Sequence, residues 1–257
     1  MAPQTQGVAR GDPEPSVVDV VTTELVRGIL SGRWPSGARL PPERDLAEEL
    51  AVSRVSVRSA IGRLAEWGVV TARQGSGITV QPRRRWTAGV LANVIAHAIE
   101  SGDFAALVPL LRDARALRRW VVLDMLERAA AHFGADARGV LDGVRARVEA
   151  AWAARSDSYA FLAIDRETLP EILEVAGMLP SLFLVNSLAA PYFAVMRTVP
   201  GASPVLADYR EQQMAVIDAV ERGDGACARA RMSAYLDQLD AQVLGFLPDD
   251  VRGALEG

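Results

Sequence analysis

Two arginines, Arg54 and Arg58, stand four residues apart in a segment that has the spacing of an amphipathic helix. Ser53 precedes them and can cap the start of that helix through its hydroxyl group. The two guanidinium groups would then lie on one face of the helix. A guanidinium group can donate two hydrogen bonds to O6 and N7 of guanine, and the hydroxyl groups of Ser53 and Ser56 can hold a phosphate. This pattern is typical of a helix that enters the DNA major groove.

The elements that would position this helix follow from local patterns. Apolar residues recur at helical spacing in three segments, and each segment predicts a helix with one buried face. The three stripes are Val17, Val18, Val21, Leu25 and Ile29; Leu46, Ala47 and Leu50; and Val57, Ile61, Leu64 and Ala65. Pro42 suits the first position of the second helix, and Gly68 is placed to end the third. Two β-prone runs, 69–72 and 78–80, then predict a hairpin whose tip is 73–77.

This segment resembles the winged helix-turn-helix of GntR-type bacterial transcription regulators. The residues that carry the resemblance are 40–47, Val52-Ser53-Arg54, Val57-Arg58 and the wing glycines at 75 and 77. The resemblance implies DNA contacts from Arg44, Ser53, Arg54, Ser56, Arg58, Gln74, Gly75 and Ser76. It also implies a homodimer whose two subunits read an inverted-repeat operator in double-stranded DNA.

The charge distribution agrees with a local DNA-binding surface. The net charge of the chain is −4, and all 28 basic residues are arginine. Residues 1–85 hold 12 arginines against 9 acids, whereas residues 86–257 hold 16 arginines against 23 acids. Between 52 and 85 there are seven arginines and a single acid, Glu66. A protein that is acidic as a whole can bind DNA when its positive field is local.

The rest of the chain has a helical pattern. The predicted helices lie near 87–101, 104–132, 136–154, 157–176, 180–197, 204–222 and 225–245. Pro170 and Pro191 fall inside two of them, where kinks or breaks are expected. The fold class is therefore mainly α: a winged helix-turn-helix of three helices and a β-wing, followed by an all-α antiparallel helical bundle. The predicted domains are a disordered tail at 1–16, the winged helix at 17–81, a linker at 82–86 and the helical domain at 87–247.

The helical half resembles the effector domain of the FadR branch of these regulators. The resemblance rests on Asp165, on residues 218–224 and on residues 232–236. Many members of that branch bind a divalent metal through one aspartate and three histidines. Here the three histidine positions hold Leu169, Gln213 and Tyr235, and the only two histidines of the chain fall at no motif position. Leucine cannot ligate a metal, so we expect neither a metal site nor a cofactor.

The regulator that gives this branch its name also lacks the metal site and binds a long-chain acyl-CoA. The resemblance implies an apolar effector pocket with Asp165, Tyr192, Phe193, Gln213 and Tyr235 at its walls. The predicted function is a ligand-responsive repressor that a small organic effector releases from DNA, with long-chain acyl-CoA as first candidate. Two alternatives stay open: the effector is a carboxylate metabolite, or the helical domain serves dimerisation alone.

Several classes of protein do not fit the sequence. The chain has no lysine for a Schiff base, no nucleophile–base pair and no phosphate-binding glycine loop, so an enzyme is not expected. No apolar run approaches the roughly 20 residues of a membrane-spanning helix. The N-terminal residues 1–16 contain no apolar signal region, and the single Cys227 suits a reducing compartment. These features predict a cytoplasmic protein.

Overall fold

The computed structural model describes residues 15–73, 77–134, 137–197 and 205–245. They fall into two compact units that divide between Thr87 and Ala88. The fold is mainly helical, with a winged helix-turn-helix first and a helical unit second, which confirms the predicted fold class.

The first unit contains three helices, a two-stranded sheet and a 3-10 turn. The elements are α1 (Val17–Leu30), α2 (Glu43–Glu49), α3 (Arg54–Glu66), β1 (Val70–Arg73), β2 (Gly77–Val80) and the turn Arg83–Arg85. Ser16, the last residue of the predicted tail, caps α1 in a reciprocal arrangement with Asp19, while residues 1–14 lie outside the described residues. Pro42 immediately precedes α2 instead of occupying its first position, a difference of one residue.

The loop before α2 is attached to the wing. Strands β1 and β2 are antiparallel, with Val70 opposite Val80. The N–H of Leu40 donates to the carbonyl of Ile78, and the N–H of Val80 donates to the carbonyl of Ala38, both at 2.9 Å. These backbone bonds fix the start of α2 relative to the wing.

Helix α3 is held at both ends. Ala51 adopts a φ of 52° in the turn after α2, and Ser53 then caps α3. Gly68 ends the helix region with a φ of 68°, and a Cβ atom at this position would lie 2.2 Å from the carbonyl oxygen of Arg85. Glycine is therefore required here by both the backbone conformation and the close approach of residue 85.

The core of the first unit forms where the predicted apolar stripes meet. Its most deeply buried members are Val21, Leu25, Leu46, Val57, Leu64 and Val69. An ion pair between Asp19 and Arg63 joins α1 to α3 at the edge of this core. The recognition helix α3 thus leaves its first turns exposed while its apolar face is buried.

The second unit consists of helices. They are a 3-10 turn at Ala88–Val90, then α4 (Leu91–Glu100), α5 (Phe104–Ala130), α6 (Asp142–Ala153), α7 (Ser158–Asp165), α8 (Thr168–Val175), α9 (Leu179–Arg197), α10 (Tyr209–Glu221) and α11 (Gly225–Leu244). Helices α5, α10 and α11 pack against one another around a core that also includes α6, α7 and α8. Among the described residues, no helix is both long enough and apolar enough to cross a membrane.

The prediction of a single helix at 157–176 was wrong, because the chain forms two helices there. Helix α7 ends at Asp165 and α8 begins at Thr168. Pro170 is the cause that we identify, since its ring would collide with the carbonyl group of Arg166 in a continuous helix. Asp165 and Leu169 consequently belong to different helices and do not share a helix face.

Candidate DNA-binding surface and effector site

The start of α3 presents polar groups to solvent. The Ser53 hydroxyl accepts a hydrogen bond of 3.0 Å from the N–H of Ser56, and the two serine hydroxyls lie 2.9 Å apart. This cap uses one acceptor of Ser53 and leaves the hydroxyl at the exposed N-terminus of a 13-residue helix. Hydroxyl groups and free N–H groups at such a terminus suit phosphate binding.

The two predicted base-reading arginines are both exposed but differ in their partners. Within the described part of the chain, Arg54 has no carboxylate partner. Arg58 binds Glu43 at the start of α2, with Nη2 at 2.8 Å and Nε at 3.1 Å from Oε2. These hydrogen bonds raise the pKa of Arg58, so its positive charge is secure. The side chain of Arg58 nevertheless remains 74% exposed.

The third predicted arginine lies on α2. Arg44 contacts acids of its own helix, with Nε 3.1 Å from Asp45 and 3.8 Å from Glu48. Its side chain is exposed, and such surface pairs exchange easily with a phosphate partner. The predicted wing contacts Gln74, Gly75 and Ser76 lie outside the described residues.

Two residues at this surface were missed by the sequence analysis. Val55, in the first turn of α3, is an apolar side chain that is 74% exposed. An exposed apolar group at this position suits contact with the methyl group of thymine. Glu43 was missed because an acid in the first turn of a helix normally needs no further explanation. The residue pattern therefore gave no sign that Glu43 contacts α3.

In the second unit, Tyr209 connects the predicted effector residues. The Tyr209 hydroxyl donates a hydrogen bond of 2.6 Å to Oδ1 of Asp165. Burial raises the pKa of Asp165 to about 6, and the hydrogen bond from Tyr209 offsets part of that rise. Burial and the neighbouring carboxylate also raise the pKa of Tyr209, so its phenol stays protonated.

Tyr209 is fully buried in an aromatic cluster. Its ring meets Phe161 edge-on at 4.8 Å and Tyr235 edge-on at 6.3 Å, and it stacks on Trp152 at 6.4 Å. The structure therefore brings Asp165 and Tyr235 to the same place through Tyr209. The sequence analysis missed Tyr209, although it lies four residues before Gln213 in a predicted helix and so shares its face.

Gln213 is a nearly buried polar residue one helical turn after Tyr209. It lies on α10 and is only 6% exposed. Among the described residues, nothing forms a hydrogen bond with its amide group. The buried hydroxyl oxygen of Thr168 on α8 also has no hydrogen-bond partner among the described residues. Polar groups in such places are expected to meet water or a ligand. Tyr192 and Phe193 lie in α9, but their side chains are outside the described part of the structure.

The donor atoms at the expected metal position do not fit a metal ion. Asp165 already accepts a hydrogen bond from Tyr209, and Leu169 is separated from it by the break between α7 and α8. Gln213 and Tyr235 offer an amide and a phenol in place of neutral imidazole, which is a poor ligand set for Zn²⁺. Within the described residues, no group of three or more His, Cys, Asp or Glu side chains is placed to hold a metal.

A groove of about 690 Å³ lies on the surface between α6 and α10, and none of the rings of the aromatic cluster lines it. Its arginines are held by acids: Arg145 lies 2.7 Å from Asp218 and 2.8 Å from Glu221, and Arg210 lies 2.6 Å from Glu149. Hydrogen bonds to Glu221 and, to a lesser extent, to Asp218 raise the pKa of Arg145. Because these charges are paired, the groove is a weak candidate for an anionic ligand.

The chain is similar to known bacterial transcription regulators. Residues 18–80 match the family described as bacterial regulatory proteins, gntR family. A Mycobacterium tuberculosis protein described as the uncharacterized HTH-type transcriptional regulator Rv0494 is 31% identical over 236 residues, which cover 91% of this chain and 93% of the relative. An Escherichia coli protein named as a candidate regulator of the L-lactate dehydrogenase operon is 27% identical and covers 90% of this chain and 88% of its own length.

A solved structure supports the fold over nearly the whole chain. It is described with the words Lar controls the expression of the Listeria monocytogenes agr system and mediates virulence. The similarity has a TM-score of 0.57 at 15% identity and covers 90% of this chain and 98% of that chain. At this level of identity the likeness concerns the fold alone.

Proposed function

This chain belongs to the gntR family of bacterial regulatory proteins and is a DNA-binding transcription regulator rather than an enzyme; on that premise we propose that it is a homodimeric, effector-responsive repressor of the FadR branch. It acts in the cytoplasm, where its DNA is. The contacts come from Arg44, Ser53, Arg54, Ser56, Arg58 and the wing residues Gln74, Gly75 and Ser76.

One observation carries the DNA-binding part of the proposal: the exposed, serine-capped start of α3 with Arg54 free of any carboxylate among the described residues. Its guanidinium group can bind a guanine edge without first breaking an ion pair. The arginine-rich stretch from 52 to 85 adds a positive field around it.

A two-fold dimer would present two copies of α3 to successive major grooves. Half-sites are then expected about 34 Å apart, or one turn of DNA, which makes the operator an inverted repeat. In this proposal the helical unit supplies the dimer contact, since the first unit uses its exposed helix for DNA.

The test is selection of binding sites from random duplexes by the full chain. We expect an enriched inverted repeat, footprinted symmetrically, with two chains per duplex in native mass spectrometry. Enrichment of a single half-site with one chain bound would overturn the dimer, and no enrichment at all would overturn sequence-specific binding. Repression follows if the enriched site overlaps a promoter and blocks transcription in a purified system.

The effector part of the proposal rests on Gln213, which is 6% exposed and follows Tyr209 of the aromatic cluster by one turn of α10. An effector that offers a hydrogen bond to Gln213 would stabilise one arrangement of α10 against its neighbours. Asp165 is acidic and lies nearby, so it disfavours a ligand carboxylate and favours a neutral polar group. Long-chain acyl-CoA remains the first candidate, because its acyl chain is apolar and its thioester is neutral, while its phosphate groups lie at the far end of the CoA moiety.

A carboxylate metabolite is the second candidate. The name of the Escherichia coli relative, which refers to an L-lactate dehydrogenase operon, makes small hydroxy acids the first carboxylates to test.

The third possibility is that the helical unit serves dimerisation alone and binds no effector. A ligand that releases DNA must bind the two states of the protein differently, and a tenfold release requires about 1.4 kcal/mol of coupling.

The experiment compares acyl-CoAs of several chain lengths, free fatty acids and short hydroxy acids in thermal melting and in release of operator DNA. Gln213→Leu keeps the size of the side chain and removes its amide, so it should weaken release by the true effector at least several-fold. Glu211→Gln, an exposed change on the same helix, is the matched control. If no compound shifts either melting or DNA affinity, the dimerisation reading holds.

A further inference from the structure

We propose that Glu43 determines the DNA sequence specificity of this regulator by positioning Arg58 and by opposing contact with phosphate. The inference deepens the proposed DNA-binding function and rests on it. Glu43 itself makes no base contact in this proposal; it acts through the guanidinium group that it holds.

The geometry of the pair favours one orientation of Arg58, through three hydrogen bonds where the exposed Arg44 makes single contacts with its acids. The Nε and Nη2 atoms of Arg58 both donate to Oε2 of Glu43, at 3.1 and 2.8 Å, and Nε also lies 3.3 Å from Oε1. One edge of the planar guanidinium group is therefore occupied by the carboxylate. The guanidinium group retains further N–H donors on its other edge. The Arg58 side chain as a whole is 74% exposed.

An arginine side chain that is already oriented before DNA binds recognises a different set of acceptors from one that is free to move. A free arginine on a surface loses rotamer entropy when it binds, and it binds any phosphate within reach. The hydrogen bonds to Glu43 bias Arg58 toward one rotamer before DNA binds. Its outer donors point in one direction, which suits a fixed pair of acceptors on a base edge. A phosphate would additionally be repelled by the carboxylate charge.

Glu43 is well placed to act as a fixed partner. It is the first residue of α2, and its side chain is 30% exposed. The chain just before it is attached to the wing through the bond between Leu40 and Ile78. Pro42 then fixes the backbone that enters the helix. The backbone leading to Glu43 is therefore anchored to the wing, and its carboxylate binds the recognition helix.

The same helix provides a matched control. Glu49 is the last residue of α2 and binds Arg33 with two hydrogen bonds of 2.6 and 2.9 Å. Glu43→Gln and Glu49→Gln remove the same charge from the same seven-residue helix. Only the first change alters the partner of Arg58.

The experiment measures the affinity of the full chain for its selected operator and for an unrelated duplex of equal length, over a range of salt concentrations. For Glu43→Gln we expect tighter binding to the unrelated duplex and a fall of about tenfold in the ratio of operator to unrelated affinity, which is the discrimination of one bidentate arginine–base contact. Glu49→Gln should keep the wild-type ratio.

Two further variants separate positioning from simple charge. Glu43→Asp keeps the charge but shortens the side chain, so it should lose discrimination at the base pair read by Arg58 while unrelated DNA is still bound weakly. In an Arg58→Ala background, Glu43→Gln should cause no further loss of discrimination at that base pair.

The proposal is overturned if Glu43→Gln and Glu49→Gln change the ratio equally, or if the effects of Glu43→Gln and Arg58→Ala are additive. Failure of the underlying function would look different, because the wild-type chain would then show no preference for any operator. Thermal melting of each variant confirms that the binding measurements compare folded proteins.

Discussion

Tyr209 and Asp165 are joined by a hydrogen bond of 2.6 Å between the phenol and the carboxylate, which connects α10 to the end of α7. In the proposed FadR-branch assignment, Asp165 stands at the position of a metal-binding aspartate. In this chain, the Tyr209 hydroxyl donates a hydrogen bond to the Asp165 carboxylate. The pair gives this region a titratable group whose pKa is about 6, and its effect on stability can be measured.

Asp165→Asn is expected to flatten the pH dependence of stability. Because burial raises the pKa of Asp165 from 3.8 to about 6 in the folded state, the folded protein binds more protons than the unfolded chain between these values. Stability therefore decreases as the pH rises through about 4 to 6. At pH 7 the substitution should raise the free energy of unfolding by on the order of 2 kcal/mol, with little effect near pH 4.

Denaturant unfolding of both proteins at several pH values checks this prediction, with the difference between them as the readout. Tyr209→Phe is the complementary variant: it removes the hydrogen bond that lowers the pKa of Asp165, so the sensitive window should extend above pH 6. Parallel pH curves for the wild type and Asp165→Asn would show that the carboxyl group does not titrate in this range.

Arg54→Ala is expected to weaken operator binding by about 1–3 kcal/mol and to relax the preference at one base pair. The reason is that this exposed arginine at the start of α3 has no carboxylate partner among the described residues. Fluorescence anisotropy with operators substituted at single positions measures the effect. Arg222→Ala, an exposed arginine of the helical unit, should bind DNA as the wild type does; unchanged affinity in Arg54→Ala would contradict the assignment.

Two glycines near α3 should respond to the same substitution with opposite signs. Gly62 lies inside the helix with no atom within 4 Å of an added Cβ, so Gly62→Ala should stabilise the first unit by about 1 kcal/mol. Gly68 has a positive φ, and its added Cβ would meet Arg85, so Gly68→Ala should destabilise by about 1–3 kcal/mol.

Hydrogen exchange of the amides in α1 and α3 reports the first unit separately from the second, which a single melting curve does not. If Gly68→Ala left the exchange rates unchanged, the contact between Gly68 and the 3-10 turn would contribute little to stability.

Protein purified without chelating resin is expected to contain less than stoichiometric Zn, Ni or Mn. The expected histidine positions hold Leu169, Gln213 and Tyr235, and Asp165 is bonded to Tyr209. Elemental analysis measures the content, and melting with and without a chelator measures any contribution to stability. A stoichiometric metal removed by the chelator with a loss of stability would contradict the prediction.

The sequence predicted the first unit well because its signals are local. Caps, apolar stripes and Gly68 act within a few residues of one another, so α1, α2 and α3 follow from spacing alone. The two contacts that define the sites are not local: Glu43 and Arg58 are 15 residues apart, and Asp165 and Tyr209 are 44 apart. The spacing of apolar residues along one helix does not predict which polar side chains of two different helices will contact each other.

The helical unit shows an intermediate case. Pro170 indicated that the helix at 157–176 would be disturbed, but its effect depends on whether the chain bends or breaks. The break before Thr168 places Leu169 on a new helix, which separates it from Asp165. The resemblance to the FadR branch assumes that both positions lie on one helix, so it could not predict that the chain changes direction between them.

The stacking of Trp152 on Tyr209 provides a built-in optical reporter. Of the five tryptophans, Trp34, Trp67 and Trp86 belong to the first unit and Trp120 is 59% exposed. Within the second unit, it is Trp152 that stacks on Tyr209 at the proposed effector site. Its emission should change when a ligand alters the ring of Tyr209, whereas replacement of Trp152 by Phe should remove that change and retain the signal of the other four. Effector titrations can then be followed by intrinsic fluorescence, without a dye and without DNA.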